Sequence, residues 1–265
     1  MADSFIASQN VLFFRKDVTF TIQKIKITKN MKKLLLLFIS FIVVTAQAQT
    51  ADEVIQKYAS YLGGMDAFNK LSSIKMTGTV TVQGMDLPIT IQIVNGKAMR
   101  TDVEVMGQSV VNVYNNGTGW KINPFAGVPD ATDVTGDELA EFKSQSSIAS
   151  TLMEYQSRGD KAESDGEEVV NGVKTYKIKV TGKDDGKVTT YFINSTDYSL
   201  VKSISNREIM GQDATIETFY SDYKDFDGLK FSMSRKQEMD GQEFQSIAFS
   251  NIELNIPIDE KIFAK

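Results

Sequence analysis

Two residue types on which much protein chemistry depends are missing: the chain of 265 residues has no cysteine and no histidine. Without cysteine there is no disulfide, no thiolate nucleophile and no zinc site of the usual kind. Nor can the chain carry the lipid-attachment cysteine of a lipoprotein, so its stability rests on a packed core. Without histidine it lacks the usual general base near neutral pH, the commonest metal ligand and any Ser-His-Asp arrangement. There is no glycine-rich phosphate loop either, because apart from Gly63-Gly64 the glycines stand singly, many of them beside Asn or Asp as in turns. Paired carboxylates are the remaining acid–base option. The pairs Asp184-Asp185 and Glu167-Glu168 sit beside turns, where solvated surface carboxylates are the plainer reading. The expectation is a protein that is not an enzyme and needs no metal or cofactor.

Long apolar runs are also scarce, with one exception. From Met31 the sequence reads MKKLLLLFISFIVVTAQAQT. Lys32 and Lys33 form a positive start, Leu34 to Val44 an apolar stretch, and Ala46-Gln47-Ala48 a small-x-small cleavage pattern. The stretch is shorter than the roughly 20 residues of a spanning helix. It reads as a signal peptide over 31–48, cleaved after Ala48, which places the mature protein in the periplasm of a Gram-negative-type bacterium. Residues 1–30 then read as a non-native upstream extension, with Met31 the better initiator.

Cleavage changes the electrostatics. Residues 1–48 hold 7 of the 29 Lys+Arg and 2 of the 34 Asp+Glu, so 49–265 keeps 22 basic and 32 acidic groups, a formal charge of −10. An acidic surface repels phosphate backbones, which disfavours nucleic acid as a partner.

The patterning of 49–265 indicates one mainly β domain. Thr50 and Glu53 fit a capping box. Val54, Ile55, Tyr58, Tyr61 and Leu62 share a helical face, and Gly63-Gly64 ends the helix. A short turn, Met65 to Leu71, follows. The period then becomes two: Ile74, Met76, Gly78, Val80 and Val82 face one way, and Leu87, Ile89, Ile91 and Ile93 repeat the pattern. Asn95-Gly96, Asn116-Gly117, Asn171-Gly172, Asp227-Gly228 and Asp240-Gly241 punctuate further strands. Pro124–Pro129 reads as a loop and Thr135 to Tyr155 as a second helix. The count is about 10–11 strands with no βαβ rhythm.

A sheet of this size must cover its apolar face. Side chains packed against the helices would do so. So would an apolar ligand held in a sheet curled into a half-barrel too wide for its own side chains to fill. Met76, Met99, Met106, Met153, Met210 and Met233 lie in or near the elements, and methionine adapts to varied ligands.

The order of segments resembles the LolA/LolB family of periplasmic lipoprotein carriers. The resemblance is carried by ASYLGGMDAFNKLSSIKMTGTV, GKAMRTDVEV, VVNVYNNGTGWKINPF and the closing DYKDFDGLKFSMSRKQEMDGQEFQSIAFSNIELNIPIDEKIFAK. It spans the mature chain with diffuse motifs, none catalytic. It implies an unclosed antiparallel β-barrel with a helical lid and an apolar interior for acyl chains, a role in outer-membrane biogenesis, and transient membrane contact. The expected ligand-binding wall is Val80, Val82, Ile89, Ile91, Met99, Val111, Val113, Trp120, Phe192, Phe219, Phe231, Met233 and Phe249. By motif, Arg100 matches the arginine that closes the lid in the carriers; the other reading pairs it with Asp102 or Glu104 at the surface. Trp120, the single tryptophan, is either a cavity wall or a core plug. The leading expectation is a carrier for a lipid or acylated lipoprotein. The second is an envelope module of the same fold that senses or binds a protein partner.

Overall fold

The computed structural model describes residues 49–209 and 212–265, with the side chains of 208, 209 and 212 outside that description. The upstream extension, the signal peptide and Met210 therefore lie outside the described residues.

Helix α1 (Ala51–Leu62) begins at the expected capping box, where the Thr50 hydroxyl accepts from the Glu53 N–H and the Glu53 carboxylate accepts from the Thr50 N–H. It ends at Gly63, whose φ of 114° is left-handed; a Cβ there would stand 2.4 Å from the Gly228 carbonyl. A short α2 (Met65–Asn69) leads into the sheet.

The strands are β1 (Ser73–Val82), β2 (Met85–Val94), β3 (Ala98–Val105), β4 (Gln108–Asn115), β5 (Thr118–Asn123) and β6 (Val128–Asp133). After helices α3 (Gly136–Ser144) and α4 (Tyr155–Arg158) come β7 (Lys161–Val170), β8 (Val173–Thr181), β9 (Val188–Asn194) and β10 (Leu200–Ile209). The last are β11 (Gln212–Phe226), β12 (Leu229–Met239) and β13 (Gln242–Leu254). They form one antiparallel sheet in the order β6-β5-β4-β3-β2-β1-β13-β12-β11-β10-β9-β8-β7, unclosed between β6 and β7. A 3₁₀ turn at Glu260–Phe263 follows β13.

The described residues form 13 strands rather than 10–11, and the two that the alternation missed, β6 and β7, are the two edges. β7 is exposed along most of its length and charged; β6 begins at the end of the stretch read as a loop and carries Pro129, Asp130 and Asp133. Edges of this composition resist pairing with other chains, and the same composition hides them from hydrophobic periodicity.

The expected helix Thr135–Tyr155 is instead α3, a run of turns, and α4. Ser144 and Ser146 donate their hydroxyls to the Glu141 and Lys143 carbonyls, competing with helical bonding. The chain is then pinned to the β2–β3 hairpin: Gly96 N–H donates to the Ser146 carbonyl at 2.9 Å and Ile148 N–H to the Asn95 Oδ1 at 3.0 Å.

Three apolar clusters hold this together. Val54, Ile55, Tyr58 and Leu62 of α1 pack with Leu152, Ile178, Tyr191, Ile193 and Leu200. Phe142 of α3 packs with Ile74, Met99, Tyr114, Met233 and Phe249. A third cluster, Ala98, Val111, Val113 and Trp120 under Phe263, lies on the other side of the sheet. Each fully buried side chain of this kind contributes about 1.5–3 kcal/mol. Gly119 lets α3 come close, since a Cβ there would meet Leu139 at 2.9 Å.

Candidate functional site

Residues paired across antiparallel strands share a face. Ile93, Met99, Tyr114 and Gly119 form one such row from β2 to β5, and it lies under α3. Arg100, Val113 and Trp120 form the row of the opposite face.

Helix α3 shows which way the sheet bends. Glu138 pairs with Lys121 of β5 at 2.7 Å, Glu141 with Arg207 of β10 at 2.7 Å, and Asp137 with Lys187, just before β9, at 3.0 Å. Strands β5 and β10 stand far apart in the sheet order, so one nine-residue helix reaches both only if the sheet curls around it. The helix-bearing face is concave, and α3 is tied to both limbs of the half-barrel.

The expected wall divides between the two faces. Val80, Val82, Ile89, Ile91, Met99, Phe231, Met233 and Phe249 are concave by register and contact. Val111, Val113, Trp120, Phe192 and Phe219 are on the convex face. In β4, β9 and β11 the concave positions belong to Val110, Asn112 and Tyr114, to Tyr191 and Ile193, and to Ile216, Thr218 and Tyr220. Both faces of these strands carry apolar residues, so alternation alone does not choose between them.

Arg100 is convex too. It bonds the Asp102 carboxylate through Nε and Nη2 at 2.7–3.0 Å, and its Nη1 donates to the Ile262 carbonyl at 2.7 Å. Its bonds go to Asp102 and to the C-terminal segment rather than to a helical lid. Trp120 plugs the same cluster, its Nε1 donating to the Phe263 carbonyl at 3.2 Å. The contacts that hold a helix across the half-barrel come from Lys121, Lys187 and Arg207. The carboxylate pairs are surface groups: Glu167 bonds Lys174, Glu168 bonds Lys177, and Asp185 accepts from the Lys187 N–H.

Because every strand pair is antiparallel, the turns at 83–84, 106–107, 124–127, 182–187 and 240–241 all lie at one end of the sheet, here called the tip. At the base the concave face is filled by the two helix-bound clusters. Toward the tip apolar side chains continue without joining them, alongside the polar Thr218, Gln237 and Gln245. Val80, Ile89 and Ile216 are buried, and Val82, Leu87, Val103 and Met239 half-buried, in none of the three clusters. Four large apolar side chains, Met85, Met106, Phe125 and Val188, are exposed at or next to the tip turns. A separate cleft of about 360 Å³ among the helices is lined by Ile55, Ala59, Met65 and Met153 with polar neighbours, and by none of the expected wall residues.

Between base and tip runs a belt of hydroxyls. Tyr58 bonds Ser150 at 3.3 Å, Tyr191 bonds Thr151 at 3.1 Å, and Tyr220 bonds Ser203 at 3.2 Å. Burial raises the Tyr58 and Tyr223 phenols well above the ordinary tyrosine value, and pushes Tyr191 up to about 12. Arg235 lies in this belt, cross-strand from Tyr220 and Ile247, with its guanidinium 5.5 Å from the centre of the Phe249 ring.

No helix among the described residues is long and apolar enough to cross a membrane. No protein-family profile and no curated protein matches the sequence. Solved structures do match. A LolA superfamily protein from Nitrosomonas europaea aligns with a TM-score of 0.55 at 12% identity, over 82% of this chain and 99% of that one. A Vibrio parahaemolyticus domain provisionally described as outer membrane lipoprotein-sorting aligns with a TM-score of 0.54 at 10% identity, over 80% and 95%. The fold is the LolA-like open barrel.

Proposed function

We propose that residues 49–265 act in the periplasm as a binding protein that shelters the acyl chain of a lipid or lipoprotein in the tip half of the concave face. The observation that carries this reading is the group of apolar concave side chains Val80, Ile89, Val103 and Ile216, which lies outside every cluster built by the helices. An acyl chain laid there gains about 0.8 kcal/mol for each CH₂ it buries. The likeness to LolA superfamily structures supports the fold this reading needs. The exposed Met85, Met106 and Phe125 favour contact of the tip with a membrane or with an envelope protein during loading and release. That rim also gives weight to the second reading, a module that binds a protein partner through its tip and carries no ligand.

The face assignment makes the test specific. Val103 points into the concave face and its neighbour Glu104 out of it. Displacement of a fluorescent fatty acid should weaken at least tenfold in Val103→Trp and stay unchanged in Glu104→Trp. Equal affinity in both variants, or no binding by the parent protein, removes the carrier reading.

A further inference from the structure

Four arginines lie in 49–265. Arg100, Arg158 and Arg207 each bond a carboxylate, at 2.7, 3.0 and 2.7 Å. Arg235 is different: no ion pair or hydrogen bond of it is found among the described residues, and its Nε is buried without a partner. The Phe249 ring centre lies 5.5 Å from its guanidinium carbon. A ring supplies no oxygen acceptor, and guanidinium has five N–H donors. A buried donor left unpaired is costly. Its cross-strand neighbours, Tyr220 and Ile247, are uncharged, and 49–265 as a whole is acidic.

We propose that Arg235 anchors the anionic head group, carboxylate or phosphate, of an acyl amphiphile whose tail runs across the concave face toward Val80 and Leu87. This deepens the binding-protein reading and rests on it. Arg235 stands midway along β12. Its own cross-strand row runs through Ile247 and Val80 to Leu87, Ile89 lies one pair toward the base, and toward the tip Gln237 with Thr218 and Gln245 precede Ile216 and Met239. A head group at Arg235 thus puts its tail along Val80 and Leu87, which lie outside the helix-bound clusters. Tyr220, cross-strand from Arg235 and bonded to Ser203, adds a hydroxyl beside the site. Oxyanions suit this arrangement because guanidinium offers paired donors in a plane.

The test compares ligands of equal chain length on the full chain: dodecanoate, dodecyl phosphate and dodecanol, with inorganic phosphate as a competitor. The parent protein should bind at least one anionic amphiphile about tenfold or more tighter than dodecanol. Arg235→Met should erase that preference, weakening the anionic ligands about tenfold more than dodecanol, and Arg235→Lys should keep part of it. Trp120 fluorescence, reporting from the convex face, checks that each variant is folded. The order of dodecanoate and dodecyl phosphate tells which head group the site favours. A preference that survives Arg235→Met overturns the proposal, and so does full displacement by inorganic phosphate, which would make this a small-anion site. If dodecanol binds but no anionic preference exists, the anchor alone fails. If none of the amphiphiles binds, the binding-protein reading fails with it.

Discussion

The two faces of the sheet are kept dry by different means. At its base the concave face is covered by helices and by the chain between them. Among the described residues the convex face carries no α-helix, only the 3₁₀ turn at Glu260–Phe263, and over β8–β12 it protects its aromatic rings with lysines. Lys177, Phe192, Lys202, Phe219 and Lys236 lie in one cross-strand row. The ammonium groups stand 4.8–5.9 Å from the ring centres. Asp165 with Glu168, Glu217 and Glu238 neutralise the three lysines in turn. Long aliphatic stems can bury what they cross while keeping their charge in water, and Phe192 is left only 1% exposed. Apolar residues on a strand are therefore no guide to which face holds a ligand.

This comparison breaks first at Phe192. If the lysine row packs it as tightly as the helices pack Ile193, Phe192→Ala costs about 3–5 kcal/mol in denaturant unfolding, and the half-buried Phe219→Ala clearly less. A loss for Phe192→Ala below about 1 kcal/mol would mean the convex face is only loosely covered.

Alkaline pH probes the helix side. Burial holds Tyr191 at about 12, and burial plus a hydrogen bond to the Asp52 carboxylate holds Tyr155 at about 12. Raised phenols give stability that is complete below the unfolded tyrosine value near 10 and is lost as pH rises from about 10 to 12. Thermal unfolding should show the decline in that window, smaller in Tyr191→Phe. A flat profile there contradicts the burial of these hydroxyls.

Arg100→Met removes the fastening of the C-terminal segment on the convex face. A cost of about 1–3 kcal/mol is expected, with faster proteolysis near Ile262 and unchanged fatty-acid affinity. Altered affinity at unchanged stability would return Arg100 to the binding face. Smallest is Arg207→Ala, which cuts one exposed tie of α3 and should cost under about 1 kcal/mol while speeding ligand exchange. Added salt should speed exchange in the parent protein and less in the variant.

The sequence made much of this fold legible. Thr50 with Glu53 and the Gly63 stop defined α1, and Asn116-Gly117 and Asp240-Gly241 marked hairpins, because these signals act within a few residues. The edges β6 and β7 escaped because an edge exposed to water needs no apolar period. The face of Val111, Val113, Phe192 and Phe219 escaped because it depends on register between strands. Arg207 and Arg235 look alike in a one-dimensional pattern. Only the curl brings one to Glu141 and leaves the other among tyrosines.

Native mass spectrometry of the full chain recovered from a bacterial envelope, with organic extraction of what accompanies it, tests the central claim most directly. The account predicts a bound acyl amphiphile on the parent protein that is absent from Val103→Trp and retained by Glu104→Trp. A ligand-free mass for the parent protein, unchanged after incubation with fatty acid or lipopeptide, would contradict it.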